Sequence, residues 1–593
     1  MKKLLILLFL GLIIRLFFIP NPGFAADIAY WKSWSLAAAE KGIVWTTLET
    51  NYNYAPAFLY YLKAVGSTYL FLAQPINLQA FWQATNLLFL LLIKLLVIIV
   101  DLLTAYGLWW LLEKHLKTKT PKRINLPLIA AGFYLFNPFI IFNGAYWGQV
   151  GSIGTGLLFL SLILLWQKKS LRAIGVITLA FLLKLQMLFY LPLLLLWIFK
   201  KEGWQKLITS LGTMTIVFFL VCLPFILSHH MEKVTTLILA SADYFPYLSL
   251  NAYNLWWLFA KGAGFTTIDR ILVFGITPAK FIGLFLFFVF YLLSLSLLWQ
   301  KTNKKTLIKT CLWVALAFFM LPTQMHERYI YPAFLFLALM IPEISQLYQE
   351  KPRSIKLYFY LLIMTLLPLT CFYNLHNVLA INYPQYALSI LAQLNFNELT
   401  LIVAGIHLIL FLGLSIIFIK EINPRLSLTI LSIAAFIIIS KQAAFLATKE
   451  IPLTKITPIY QKQDYGLPMK NLTVNSAWGP KSWSFLSSNY FFYRQGLGSH
   501  ANSQIIYPLN GQFKRFTTDV GIDAEAGIQG TVEFKILADG QLLYESGKVG
   551  RFDLPRHAEV NIEKAQNLEL IITDAQDGIN DDHADWLNPT LYK

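Results

Sequence analysis

The stretch LLFLLLIKLLVIIVDLLTAYGLWWLL, residues 87–112, decides the fold: it is apolar or aromatic throughout except for Thr104, Gly107 and the charges Lys94 and Asp101. A bilayer's hydrocarbon core is about 30 Å thick, and a helix needs about 20 apolar residues to cross it, so this segment reads as a transmembrane helix. Apolar runs of the same kind recur from Leu4 to Leu446. Between them stand basic clusters: Lys2-Lys3, Lys114 to Arg123, Lys168-Lys169-Arg172, Lys200-Lys201, Lys301 to Lys309, Lys351-Arg353-Lys356, and Lys420 with Arg425. If each cluster is cytoplasmic, as the positive-inside rule requires, the alternation closes at about 13 spans. The expected product is a multi-pass cell-membrane protein with a cytoplasmic N-terminus and an extracytoplasmic C-terminal region.

Composition supports this. The 593 residues are 57% hydrophobic and 13% charged, too little charge for a single water-soluble core. The net charge of +17 resides in short loops between apolar runs, which points to the membrane rather than to a nucleic-acid partner. The cysteines Cys222, Cys311 and Cys371 all fall inside apolar runs, so neither a disulfide framework nor a thiolate metal site is indicated. The opening MKKLLILLFLGLIIRLFFIPNPGFAADIA also has the look of a signal peptide, but the length of its apolar stretch and Arg15 favour an uncleaved first span.

From about Asn21 to Gln83 the chain is too polar to cross a bilayer. Asp27, Tyr30, Trp31 and Trp34 fall at helical spacing, which predicts an interfacial helix with one aromatic face and one carboxylate. Pro56 can start a second short helix. Two short apolar halves between Leu171 and Phe199 flank Lys184 and Gln186, and a charge at that depth faces a cavity or a partner rather than lipid. Beyond Lys449 alternating stretches such as TVEFKIL and LELIIT, with ADG, ESG and DAQDG turns, predict a β-sandwich. The boundaries expected are a membrane domain over 1–449, a linker over 450–474, and a sandwich over 475–593.

There is no Gly-rich phosphate loop, HExxH or CxxC, so chemistry is expected at the outer surface on a substrate delivered by the membrane. The polar residues hardest to justify structurally are Asp27, Asn143, Gln149, Lys184, Gln186, His326, Glu327 and Arg328. One carboxylate, several cations and an aromatic rim suit a reaction in which a hydroxyl loses a proton and a phosphate leaves.

In order, Asp27 with Trp34 and Gly42, YAPAFLYYL (54–62), FNPFIIFNGAYWGQVGS (136–152), KLQMLFYLP (184–192), NAYNLWWL (251–258) and LPTQMHERYIYP (321–332) resemble the polytopic GT-C glycosyltransferases, specifically the bacterial group related to the GPI mannosyltransferases. The resemblance implies transfer of mannose or another hexose from a polyprenyl-phosphate donor to an extracytoplasmic glycan, lipid or protein, with inversion and no obligatory metal or other cofactor. By the same resemblance Asp27 is the general base, Lys184, His326 and Arg328 hold the donor phosphate, and Tyr54, Gln149, Gln186, Glu327 and Asn143 line the sugar and acceptor pocket. One departure stands out, since the family usually reads WGQ-x-D-S where this chain has Gly151. A second resemblance, carried by GLGSHANSQIIYPL, FKRFTTDVGIDAE, VEFKILADGQLLYESG and DGINDDHADW, is to the NPCBM carbohydrate-binding module, a jelly-roll of the galactose-binding type. It implies glycan contacts at His500, Asp585 and Trp586 and the option of a structural calcium near Asp581.

Plainer readings stand beside these. Asp27 can cap a helix; Lys184 can pair with Asp101, itself seven residues from Lys94 on one helical face; the His326-Glu327-Arg328 turn can be an interfacial anchor. The adjacent His229 and His230 read as loop. In the sandwich a buried His-Asp pair, a core-filling Trp586, and an acidic turn at Asp577, Asn580, Asp581 and Asp582 explain those residues without any ligand. A transporter or flippase of lipid-linked sugars, or an inactive glycan-sensing relative, are the rival functions. The absence of two related halves speaks against the first; Gly151 keeps the second open.

Overall fold

A computed structural model describes residues 1–115, 125–240, 245–267, 269, 272–273, 277–447, 450–474, 486–489 and 491–593. They divide into two compact units, the first helical and built from Met1–Ile238 and Pro246–Phe436, the second built mainly from Ile437–Lys593.

In the helical unit, α1 (Lys2–Phe18), α2 (Ala25–Glu40) and α3 (Pro56–Leu72) precede the long α4 (Leu87–His115). The later helices that frame the site are α5 (Gly151–Trp166), α6 (Ser170–Leu183), α7 (Lys304–Met320) and α8 (Pro332–Glu350). Among the described residues five helices are long and apolar enough to cross a membrane, and a sixth span is formed if the bent pair Leu126–Leu135 and Pro138–Tyr146 counts as one. This falls short of the expected count of about 13. Length accounts for part of the difference: α5 and α6 are apolar but have only 16 and 14 residues. Pro56 does open α3, as its fixed φ favours, but that helix has 17 residues and is not short.

Several charges buried among the helices are matched. Arg15 of α1 reaches Asp101 of α4 at 3.1 Å, both fully buried, and the Tyr331 hydroxyl donates to the same carboxylate at 2.8 Å. Asp101 therefore pairs with Arg15 and not with Lys184. Lys94, one face along, donates to the Ile19, Asn21 and Tyr146 carbonyls and ties the segment after α1 to the turn before α5. α2 departs from the interfacial reading: Trp31 and Trp34 are buried in the protein and only Tyr30 is exposed.

The basic loops gather at one end. Lys304 lies over Trp166 at 5.3 Å, Lys200 over Trp299 at 4.2 Å, and Glu421 accepts from both Lys309 (3.0 Å) and Lys356 (2.9 Å). The turns carrying Gln149, Lys184 and the 326–328 triplet lie at the opposite ends of α5, α6, α7 and α8.

The second unit is a sandwich. Its strands are β1 (Glu450–Pro452), β2 (Tyr460–Gln463), β3 (Met469–Lys470), β4 (Leu486–Ser488), β5 (Phe491–Tyr493), β6 (Gly496–His500), β7 (Ser503–Pro508), β8 (Arg515–Ile522), β9 (Thr531–Ala538), β10 (Gln541–Gly550), β11 (Arg556–Asn561), β12 (Asn567–Thr573) and β13 (His583–Tyr592). One sheet runs β11-β8-β13-β6-β3 with β1 also on β13; the other runs β10-β9-β12-β7-β2. Residues 450–474 are thus not a linker, because they supply three strands to the two sheets. Alternation drives the packing: Val532, Phe534 and Ile536 of β9 and Leu568, Leu570 and Ile572 of β12 all point into the core.

Candidate active site

Asp27 sits in the first turn of α2, where an acid is favoured by the helix dipole. It does not cap the helix, since the residue at the cap position is Phe24 and no side-chain cap bond forms there. Its carboxylate instead receives two hydrogen bonds from the WGQ turn, from Trp147 Nε1 at 2.9 Å and Gln149 Nε2 at 2.5 Å, both on Oδ2. Oδ1 is left to accept from something else.

The turn is shaped for this. Phe142–Tyr146 is a π-helical bulge, a device common at functional sites. Gly148 follows at φ +88°, a region in which other residues are strained, and this reverses the chain between Trp147 and Gln149. Phe24 stacks on Trp147 with ring centroids 5.1 Å apart, holding the start of α2 against the turn.

The 321–332 turn supplies the cations. Arg328 Nη1 donates to Glu327 at 2.8 Å, and Glu327 is 1% exposed. Burial pushes the Glu327 carboxyl up, but Arg328 and His326 outweigh it and hold the group at about 2, so it stays ionised as an anchor rather than acting as an acid or base. Burial, followed by Arg328, holds the His326 imidazole below its ordinary range. Arg328 is also hydrogen-bonded to Tyr54 and lies in the field of Asp27, while burial and then Asp27 raise the Tyr54 phenol. Main-chain bonds from Leu250 N (2.9 Å) and Ala252 N (3.3 Å) to Met325 O brace the turn with the NAYNLWWL segment.

Lys184 occupies the break between α6 and the 3₁₀ turn Leu185–Tyr190, as the two short halves predicted. Its amine is buried with no hydrogen-bond partner, lies 5.9 Å from the centre of the Tyr329 ring, and interacts electrostatically with Arg328, Glu327 and Asp27. Gln186 lines a small recess with Tyr329, Phe189 and Pro332, and neither of its amide atoms is bonded.

Asp27, Tyr54, Gln149, Lys184, His326, Glu327 and Arg328 are thus brought together, and Gln186 joins them through Tyr329. Asn143 lies deeper. Its side chain is fully buried and unbonded, and a β-carbon at Gly151 would stand 3.1 Å from its Oδ1 and 3.0 Å from the Tyr331 ring. Any side chain at position 151 would therefore press on Asn143 and Tyr331.

Trp147 is a positioning residue that sequence reading passed over, although it stands beside Gln149 in the same motif. Trp147→Phe keeps the ring and removes one charge-assisted bond; for the sugar transfer proposed below, its turnover is expected to be about tenfold lower with little change in KM, measured by initial rates.

In the sandwich the expected glycan contacts are corrected. Trp586 is fully buried against Phe534, with rings 5.1 Å apart at 83°; Asp585 is 1% exposed. His500 is buried too, in a cluster with Tyr465 (4.9 Å) and His583 (5.2 Å), of which Tyr465 is the exposed member. Tyr465 was hidden in the supposed linker. Asp577 is engaged by Lys548 and Thr531, and buried Asp582 accepts from Thr531 N. Among the described residues no group of three or more His, Cys, Asp or Glu is arranged to hold a metal ion. His230 meets only Glu232 at the surface, consistent with loop.

Asp585 and Asp523 are both buried and repel each other electrostatically, and Asp585 Oδ1 and Oδ2 and Asp523 Oδ2 have no hydrogen-bond partner. Burial first raises both: Asp523 to about 6, and Asp585 well above its ordinary range with Asp523 as a second cause. Folded values above the unfolded 3.8 mean stability that is present below that pH and lost as pH rises through about 6. Asp585→Asn is therefore expected to slow hydrogen exchange of β8 and β13 in the full chain at pH 7.5, by an amount worth about 1–2 kcal/mol, and to flatten its pH dependence.

Residues 449–592 match the family model of the NPCBM/NEW2 domain. The C-terminal unit is an NPCBM/NEW2 domain. Over 99 residues, 16% of this chain and 12% of the relative, the chain is 30% identical to alpha-1,3-galactosidase B of Akkermansia muciniphila. It spans 6% and 12% of the lengths of the curated relatives it matches. Among solved structures, CBM51 from Clostridium perfringens GH95 in complex with methyl-galactose is similar at 24% identity and a TM-score of 0.22, over 24% of this chain and 99% of that one. Arabinosyltransferase EmbB from Mycobacterium smegmatis is similar at 12% identity and a TM-score of 0.31, over 100% of this chain and 64% of that one.

Proposed function

We propose that the helical unit is a membrane glycosyltransferase that moves a hexose from a polyprenyl-phosphate donor to an extracytoplasmic acceptor. The observation that carries this reading is the Asp27 carboxylate, steadied on one oxygen by Trp147 and Gln149 and sharing its surroundings with Arg328 and the buried, unpaired Lys184 amine. An acceptor hydroxyl on Oδ1 gives its proton to Asp27, its oxygen bonds to the anomeric carbon, and the bond from that carbon to the phosphate oxygen breaks. The departing polyprenyl phosphate keeps the electron pair, and Lys184, Arg328 and His326 stabilise the charge. Attack opposite the leaving group inverts the sugar. Tyr54, Gln149 and Gln186 contact the sugar, while Glu327 holds Arg328 in place.

The basic end of the unit is cytoplasmic in this scheme, and the NPCBM/NEW2 domain is extracytoplasmic. That domain binds glycan through the exposed Tyr465 ring and its His583 neighbour, and its tether raises the local concentration of acceptor or product even when its affinity is slight. One observation favours a second reading, a glycan-sensing relative without activity: a side chain at position 151 would crowd Tyr331 and Asn143, which would have to shift to admit it.

The test uses full-length protein in liposomes with polyprenyl-phosphate mannose and candidate acceptors. Sugar released onto acceptors supports the transferase; donor moved across the bilayer unhydrolysed replaces it with a flippase; glycan binding with neither outcome leaves the sensor.

A further inference from the structure

The basic end of the helical unit contains a second concave feature, a cavity of about 240 Å³ between α4, α5, α7 and α8. Its depth is hydrocarbon, lined by Leu111, Ile308, Leu339 and Met340. Lys304 and Lys305 stand exposed at its rim, Lys304 over the Trp166 ring. The one acid in the wall, Glu343, is neutralised by Lys309 at 2.8 Å, so the mouth is net positive. The Trp166 indole N–H is buried in this wall with no acceptor, and a buried donor left unmade is costly.

Position narrows the occupant. α5 begins at the Gln149 turn and ends at Trp166, and its 16 residues at 1.5 Å each span about 24 Å, most of the way across a hydrocarbon core of about 30 Å. The cavity therefore belongs to the other membrane face from Asp27 and is separate from the donor site. An apolar slot at a membrane interface, rimmed by two lysines and an unsatisfied N–H, matches an acyl chain joined to a phosphate.

We infer that this cavity binds one acyl chain of an anionic phospholipid, with the phosphate between Lys304 and Lys305 and an ester or phosphate oxygen on the Trp166 N–H. A zwitterionic lipid lacks the net charge that the rim selects, and free phosphate lacks the chain that fills the slot.

The full chain, delipidated in mild detergent, is titrated with phosphatidylglycerol or phosphatidylcholine and observed by native mass spectrometry. Phosphatidylglycerol is expected to be retained at least fivefold more tightly. Lys304→Gln with Lys305→Gln, both exposed and so tolerated by the fold, is expected to weaken it about tenfold. Trp166→Phe weakens it several-fold, and Leu339→Trp abolishes retention with the lysines intact. Equal retention of the two lipids, or unchanged retention in the double lysine variant, overturns the proposal. So does displacement of phosphatidylglycerol by an equal concentration of glycerol phosphate, which would make the headgroup sufficient.

Discussion

Asp27→Asn is expected to lower turnover by about 10²–10⁴-fold while leaving donor affinity within a few-fold of wild type. The split follows from which groups do what. The carboxamide cannot take the acceptor's proton, so the hydroxyl must attack unassisted, and the loss falls on the chemical step. In the proposed transferase the donor phosphate is held by Lys184 and Arg328, which the change does not touch, so donor binding is expected to be little affected. The fold should survive, since one amide oxygen remains to accept from Trp147 Nε1 and Gln149 Nε2 in the place of Oδ2. Initial rates over a range of donor concentration, together with donor retention by the purified variant, separate the two quantities. Transfer within a few-fold of wild type would remove Asp27 as the base. A parallel loss of donor retention would make it a binding residue instead.

Much of this site was legible because charges inside apolar runs are costly and so stand out. Asp27, the break at Lys184 and the 326–328 turn were each visible as polar groups that lipid cannot accommodate, and the structure gathers them from three separate segments. What sequence could not supply was partnership across long separations. Asp101 finds Arg15, 86 residues away, although Lys184 was an equally plausible partner by charge alone. The strands between 450 and 470 have two to four residues each, too few for a period of two to declare itself, and so read as linker. Trp586 misled for a related reason. On β13 five of the first seven residues are buried on either face, so alternation does not sort core from surface there. The expected span count exceeds the five or six helices that are long and apolar enough to cross, because hydropathy along the chain counts apolar runs whatever the length of helix they form.

Removing the guanidinium at position 328 is expected to damage both fold and function, and a second change should separate the two. Glu327 is buried beside Arg328 and ionised, so Arg328→Gln leaves an uncompensated buried charge at a cost of about 3–5 kcal/mol. The pH dependence carries the sign. In the wild type the Glu327 value lies at about 2, below the ordinary 4.5, so its contribution is present above 4.5 and is lost as pH falls towards 2. Without Arg328, burial dominates and the carboxyl rises above 4.5, so the variant gains stability on acidification through that value. Between pH 7 and 4.5, thermal unfolding of the detergent-solubilised chain should therefore show the variant gaining stability on acidification while this group leaves the wild type flat, and the wild type should lose stability only below 4.5. Glu327→Gln combined with Arg328→Gln removes both charges and should recover most of the unfolding temperature. Transfer should stay at least 10²-fold down, because the cation that stabilises the leaving phosphate is gone. Were the double variant to transfer sugar normally, the pair would be an anchor for the turn and the phosphate would have to be held by Lys184 and His326 alone.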